Sequence, residues 1–166
     1  GGFGERGIPG MLKAIQYVRE QGIPYFGICL GLQVAVIEFA RNVCGIENAD
    51  SAEFSRGNTV NVIDLLPEQH KIMLKGGTMR LGAYEARLIE GTKIHEAYGT
   101  TRISERHRHR FEVNNVTLAP LVAKGLVISG KSAERDLVET IELPHHPWFV
   151  GCQYHPEFKS KPFAPH

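Results

Sequence analysis

The stretch Ile23-Pro24-Tyr25-Phe26-Gly27-Ile28-Cys29-Leu30-Gly31-Leu32-Gln33, with the apolar run from Val34 to Val43 behind it, decides how this chain is read. Ile23 to Ile28 is short, mostly apolar and bounded by Gly22 and by Gly27-Ile28-Cys29, which predicts a buried strand. Val34 to Val43 is long enough for a helix. Upstream, Ile8, Met11, Leu12, Ile15 and Val18 recur at helical spacing between Pro9 and a stop at Gln21-Gly22, so an amphipathic helix precedes the strand. The order loop, helix, strand, tight turn, helix predicts an α/β fold with a mostly parallel central sheet flanked by helices. In such sheets the turn after a strand carries the active site.

Further along, the pattern changes. Val60 to Leu66, Glu85 to Ile89, Ile103 to Asn114, Leu126 to Ser129, Leu137 to Leu143 and Phe149 to Tyr154 are short, often alternating segments separated by Gly, Pro and Asn. They read as additional strands, some antiparallel, that return to the sheet near the end. No low-complexity linker or internal repeat divides the chain, so residues 1–166 read as one domain or part of one.

Composition narrows the classes of function. With 19 Lys and Arg against 18 Asp and Glu, the formal net charge of +1 gives no global field to attract nucleic acid or an anionic membrane. No stretch approaches the roughly 18 to 20 apolar residues that span a bilayer. Three cysteines without a C-x-x-C pair do not make a disulfide framework; they suit thiols kept reduced in the cytoplasm.

One of those thiols sits where chemistry is done. Gly27-Ile28-Cys29-Leu30-Gly31 puts a cysteine between two glycines at a strand-to-helix turn, the arrangement of a nucleophile elbow. There the helix dipole and free N–H groups favour the thiolate. Taken alone, Cys29 is more readily a small core residue than a nucleophile, since unmodified cysteine is among the most buried types. The segment Cys152-Gln153-Tyr154-His155-Pro156-Glu157-Phe158 changes the balance: a His and a Glu two apart on an extended segment point to one side, so Glu157 can hold the imidazole of His155. A nucleophilic cysteine needs such a base and such an orienter. Gly1-Gly2-Phe3-Gly4 adds a loop whose backbone can approach a ligand and offer N–H groups to an oxyanion. Cys44 and Cys152 have no base nearby in sequence and read as packing residues.

Arg106-His107-Arg108-His109-Arg110 also invites a metal or nucleic-acid reading. The arginines would repel a cation, and no cysteine or acidic ligand lies beside the histidines at zinc-like spacing. On an alternating strand Arg106, Arg108 and Arg110 share one face and His107 and His109 the other. A solvated basic face with one arginine turned to substrate is the better account. His145-His146-Pro147-Trp148 reads as a turn before a strand.

Gly1-Gly2-Phe3-Gly4, Gly27-Ile28-Cys29-Leu30-Gly31-Leu32-Gln33 and His155-Pro156-Glu157-Phe158 together resemble the three motifs of triad-type (class I) glutamine amidotransferases, a flavodoxin-like fold, in that family's order. Four further blocks resemble the CTP synthase family: 47–54 (Glu-Asn-Ala-Asp-Ser-Ala-Glu-Phe), 76–82 (Gly-Gly-Thr-Met-Arg-Leu-Gly), 105–114 and 146–149. The resemblance covers nearly the whole chain. It implies hydrolysis of L-glutamine, with Cys29 as nucleophile, His155 and Glu157 as its partners, and Gly2 and Leu30 as backbone donors to the oxyanion. It implies glutamine contacts from Gly2, Leu30, Gly31, Leu32, Gln33, Glu53, Arg110 and Phe111. The charges agree: an α-carboxylate suits the Arg110 fork and an α-ammonium suits Glu53.

By the same resemblance, the ammonia serves ATP-dependent amination of UTP to CTP in pyrimidine biosynthesis. ATP and magnesium belong to a synthetase domain outside this chain, GTP is an allosteric activator with Phe3 as a stacking residue, and the full-length enzyme is a homotetramer. The chain is then an amidotransferase domain lacking elements before Gly1 and a last helix beyond residue 166. Two alternatives stand beside this reading: another class I amidotransferase, or a non-catalytic module in which Arg106 to Arg110 binds an anionic partner and Cys29 is inert.

Overall fold

A computed structural model of the chain describes residues 2, 4–65 and 79–166. The Phe3 assignment, the 76–78 part of the Gly-rich block and the end of the Val60 to Leu66 strand lie outside the described residues.

Helix α1 (Ile8–Gln21) has a proline in its first turn, where a missing N–H costs nothing, and ends at Gly22 in the left-handed conformation with φ 65°. Strand β1 (Tyr25–Ile28) and helix α2 (Leu30–Asn42) follow. Every residue of α2 from Leu30 to Ala40 is buried, the signature of a helix enclosed on all sides rather than lying on a surface. It packs against β1, α1 and β9 (Phe149–Cys152), and also against β2 (Ala49–Ser51), β3 (Val60–Asp64) and β6 (Glu112–Val113). The cost of burying Glu38 on this helix is offset by Arg19 of α1, whose guanidinium donates to both carboxylate oxygens at 2.9 and 2.8 Å, and by Asn42 at 3.0 Å.

The remaining elements are β4 (Arg80–Leu88), α3 (Lys93–Tyr98), β5 (Arg102–His109), α4 (Leu118–Ala123), β7 (Val127–Ser132) and β8 (Val138–Glu142). Two sheets result, one of six strands in the order β1-β9-β8-β7-β4-β5 and one of three in the order β2-β3-β6. The α/β class and the return of the last strand to the first both match the sequence reading. The share of parallel pairing does not: among the described residues only β1 with β9 and β2 with β3 run parallel, and the other pairings are antiparallel. The sheet is therefore mixed rather than mostly parallel. Short turns close the chain from β7 to β9 into adjacent antiparallel neighbours, whereas the parallel pair β1 and β9 is joined by a long crossover.

Ile103 to Asn114 is not one strand. Gly-free but interrupted at Arg110-Phe111, it splits into β5 of the large sheet and β6 of the small one. The short helices α3 and α4 were not legible as apolar periodicity because six residues hold less than two helical turns.

Candidate active site

At the end of β1 the chain turns through Cys29 at φ 53°, the one non-glycine residue with positive φ among the described residues. Backbone strain of this kind persists only where the surroundings over-determine it. Here they do. The Cys29 N–H donates to the Cys152 carbonyl at 2.7 Å, and α2 begins at the next residue. A Cβ on Gly27 would come within 2.7 Å of the Tyr25 hydroxyl and 2.8 Å of the Gly31 backbone; one on Gly151, the partner of Gly27 across β1 and β9, would press on Ile141 and Leu32 at 3.0 and 3.2 Å. The two glycines let α2 settle directly on the strands, which sets Cys29, 2% exposed, at the carboxyl end of β1. The Tyr25 hydroxyl, donating to the Gly31 carbonyl at 2.8 Å, pins the bend.

Because β1 and β9 are parallel, their carboxyl ends leave the sheet at the same edge, and the segment after β9 carries His155 beside the elbow. His155 Nδ1 lies 2.6 Å from Glu157 Oε1. A carboxylate only accepts, so His155 Nδ1 carries a proton. Nε2 of the same ring is buried without a partner among the described residues. The ring is held flat against Phe158, centroids 4.4 Å apart and planes 5° from parallel. A short turn of 3₁₀ helix at Pro156–Phe158 brings Glu157 back onto the imidazole.

A cavity of about 200 Å³ opens on the thiol, lined by Gly2, Cys29, Gln33, Glu53, Met79, His109, Arg110 and Phe111. It is smaller than the ~300–1,000 Å³ typical of drug-sized sites and suits a metabolite of amino-acid size. Six of the sequence-predicted residues thus share one cavity: Gly2, Cys29, Gln33, Glu53, Arg110 and Phe111. Leu30, Gly31 and Leu32 are buried in the first turn of α2, so only their backbone can reach a ligand. Glu53 Oε1 accepts from the Gly4 N–H at 3.0 Å, which closes the glycine loop over the cavity. Along β5, Arg106 and Arg108 are exposed and Glu105, His107 and His109 are buried, the alternation predicted for that strand.

Burial pushes the Cys29 thiol up to about 11, against a lowering pull from the Leu30 N–H. At neutral pH Cys29 is therefore a neutral thiol, and a thiol in that state needs a base before it can attack.

Three features escaped the sequence reading. Gln153, fully buried, donates to Cys29 Sγ at 3.7 Å. Arg80, itself buried, donates to Glu112 at 3.2 Å and Glu139 at 2.7 Å. From there His107 and His109, ring nitrogens 2.8 Å apart, lead to the Phe111 carbonyl, 3.1 Å from His109 Nδ1. The carbonyl can only accept, so His109 carries its proton on Nδ1 and accepts from His107 on Nε2; His107 Nε2 is then a lone pair facing Glu139 Oε2 at 3.6 Å. Both histidines stay neutral, since burial, with Arg80 nearby, lowers His107 to about 2 and His109 to about 3. Burial likewise raises Glu112 and Glu139 despite the attraction of Arg80. The partners come from β4, β5, β6 and β8, and no local spacing links them.

The sequence profile described as glutamine amidotransferase class-I matches residues 1–166. The chain belongs to the class I glutamine amidotransferases. This amidotransferase is 61% identical over all its 166 residues to the CTP synthase of Moorella thermoacetica and spans 31% of that protein's length. It is similar to the solved Trypanosoma brucei CTPS glutaminase domain with bound acivicin, with a TM-score of 0.92 and 40% identity, covering 99% of this chain and 64% of that one. A Thermotoga maritima glutamine amidotransferase, 17% identical with a TM-score of 0.54 over 93% of this chain and 54% of its own, shares the fold. Among the described residues, no helix of the amidotransferase is long and apolar enough to cross a membrane.

Proposed function

We propose that this chain is the glutaminase domain of a CTP synthase and that Cys29, His155 and Glu157 are its catalytic triad. The observations that carry the reading are a strained cysteine at the carboxyl end of β1 and, in the segment after the neighbouring strand β9, an imidazole held by a carboxylate 2.6 Å away. Arg110 and Glu53 at the rim of the cavity suit the α-carboxylate and α-ammonium of L-glutamine.

In the first step His155 Nε2 takes the thiol proton and Sγ attacks the carboxamide carbon. The Gly2 and Leu30 N–H groups stabilise the oxyanion. Collapse of the tetrahedral adduct expels ammonia, which takes its proton from His155, and leaves a thioester on Cys29. Water, deprotonated by His155, attacks the thioester; glutamate leaves and Sγ regains the proton. Glu157 stays ionised and holds the imidazole throughout.

The ammonia would then aminate UTP with ATP and magnesium in a synthetase domain outside these 166 residues, with GTP as activator near Phe3 and a homotetramer as the assembled form. The test is release of ammonia and glutamate in equal amounts from glutamine by the full-length protein. Loss of both in Cys29→Ala is expected; glutamine turnover that survives the substitution would overturn the assignment.

A further inference from the structure

The orientation of one buried side-chain amide follows from a backbone carbonyl two links away. The Phe111 carbonyl can only accept, so the Gln33 atom 3.0 Å from it is the NH₂. The same NH₂ reaches the Gln153 side chain at 3.2 Å, so Gln153 turns its oxygen toward Gln33. Its own NH₂ then has one direction left, toward Cys29 Sγ at 3.7 Å. Gln153 and Gln33 are 0% and 3% exposed, so water cannot relax this polarity by serving both ends. The Phe111 carbonyl, between β5 and β6, and the Cys29 thiol are thereby joined through two carboxamides.

We propose that Gln153 is a thiolate-holding residue of this site: its carboxamide, locked by Gln33 and the Phe111 carbonyl, donates to Cys29 Sγ and favours the charged nucleophile. A donor aimed at an ionisable group stabilises its anionic form, and a hydrogen bond to a charged partner is stronger than one between neutral groups. Burial opposes thiolate formation at Cys29, and the carboxylates of Glu112 and Glu157 oppose it further. The other titratable or charged groups about the thiol are Glu53, His109 and Arg110, which line the cavity, the Cys152 thiol of β9, which burial and then nearby charges, that of Cys29 among them, push up, and His155 after that strand. Against the burial and the carboxylates, Gln153 contributes a fixed donor on the sulfur that needs no proton transfer of its own. Its purpose rests on the glutaminase reading, but its effect is measurable without glutamine.

The experiment is alkylation of Cys29 by iodoacetamide in the full-length protein, followed by peptide mass spectrometry from about pH 6 to about pH 11, where the rate is proportional to the thiolate fraction and a raised midpoint is read as the matching loss of rate at each pH. Gln153→Met, close in volume, is expected to raise the midpoint by about one unit, a roughly tenfold loss of thiolate at neutral pH. Gln153→Glu, which puts an anion where the donor was, is expected to raise it further. A Met variant that titrates with the unsubstituted protein, or a Glu variant no higher than Met, overturns the proposal. In the unsubstituted protein, the ¹⁵N-labelled side-chain amide of Gln153 is expected to shift through the same pH range as the thiol; an amide that does not move there overturns it without any substitution. Ammonia release from glutamine, measured on the same samples, separates the two claims: coincident midpoints with intact release sink Gln153 alone, while absent release sinks the glutaminase reading and leaves the midpoints to decide Gln153.

Discussion

The elbow at Cys29 and the charged cluster around Arg80 lie on either side of the Phe111 carbonyl, which Gln33 meets at 3.0 Å and His109 at 3.1 Å, yet they are built in opposite ways. The elbow is local: Gly27, Cys29 and Gly31 shape it over five residues, and His155 and Glu157 add a second local unit two residues across. The cluster is assembled from β4, β5, β6 and β8, with Arg80 and Glu139 59 residues apart. A local motif specifies chemistry and leaves its position to the fold. A dispersed cluster specifies position, here by holding the carbonyl of Phe111 at the wall of the cavity, and does no chemistry itself. Substitutions in the first should therefore strike activity, and in the second stability.

The largest expected effect is Cys29→Ser in the full-length protein, which should lower glutamine turnover by at least about 10³-fold while leaving the urea midpoint nearly unchanged; a matching loss of stability would break the contrast. Next, Arg80→Met leaves Glu112 and Glu139 buried without their cation and should cost about 3–5 kcal/mol, read from urea unfolding; a loss under about 1 kcal/mol would show that the carboxyls protonate without penalty. Gly27→Ala should cost about 1–3 kcal/mol by overpacking against Tyr25 and Gly31, and because it lies under the elbow it should also lower turnover, which makes it the case that straddles the two regions.

The smallest effect is on pH dependence. Raised carboxyls stabilise the fold while protonated, and that contribution is lost as the pH climbs from 4.5 through about 7 for Glu139 and about 8 for Glu112. Lowered histidines work the other way: His107 and His109 contribute above 6.5, and the contribution is lost as the pH falls toward about 2 and about 3. The cluster is thus expected to be most stabilising between about pH 4.5 and about 6.5, with urea midpoints falling on either side. Glu112→Gln should flatten the alkaline limb; an unchanged limb would assign it to other groups.

The same division explains what the sequence made legible. Turn chemistry at Gly27-Ile28-Cys29 and the two-residue spacing of His155 and Glu157 are short-range facts, and the strand, elbow and helix appear where those residues predict them. Alternation along 102–109 correctly separated the exposed arginines from the buried histidines. It could not say what the histidines meet, because Glu139 and Arg80 are brought there by sheet order rather than by spacing. Gln153 was passed over for a similar reason: a carboxamide gains meaning only from its partners, and Gln33 is 120 residues away. The parallel share of the sheet was overread from one βα unit at the start, since strand direction in the second half depends on turns that apolar patterning does not encode.

The central claim, that Cys29 is a glutamine-directed nucleophile, is tested most directly by covalent labelling of the full-length protein with 6-diazo-5-oxo-norleucine, located by peptide mass spectrometry with and without excess glutamine. Labelling confined to the peptide bearing Cys29, suppressed by glutamine and absent in Cys29→Ala, is the predicted result. Failure of the folded protein to label, or labelling at Cys44 or Cys152 that glutamine does not suppress, would contradict it.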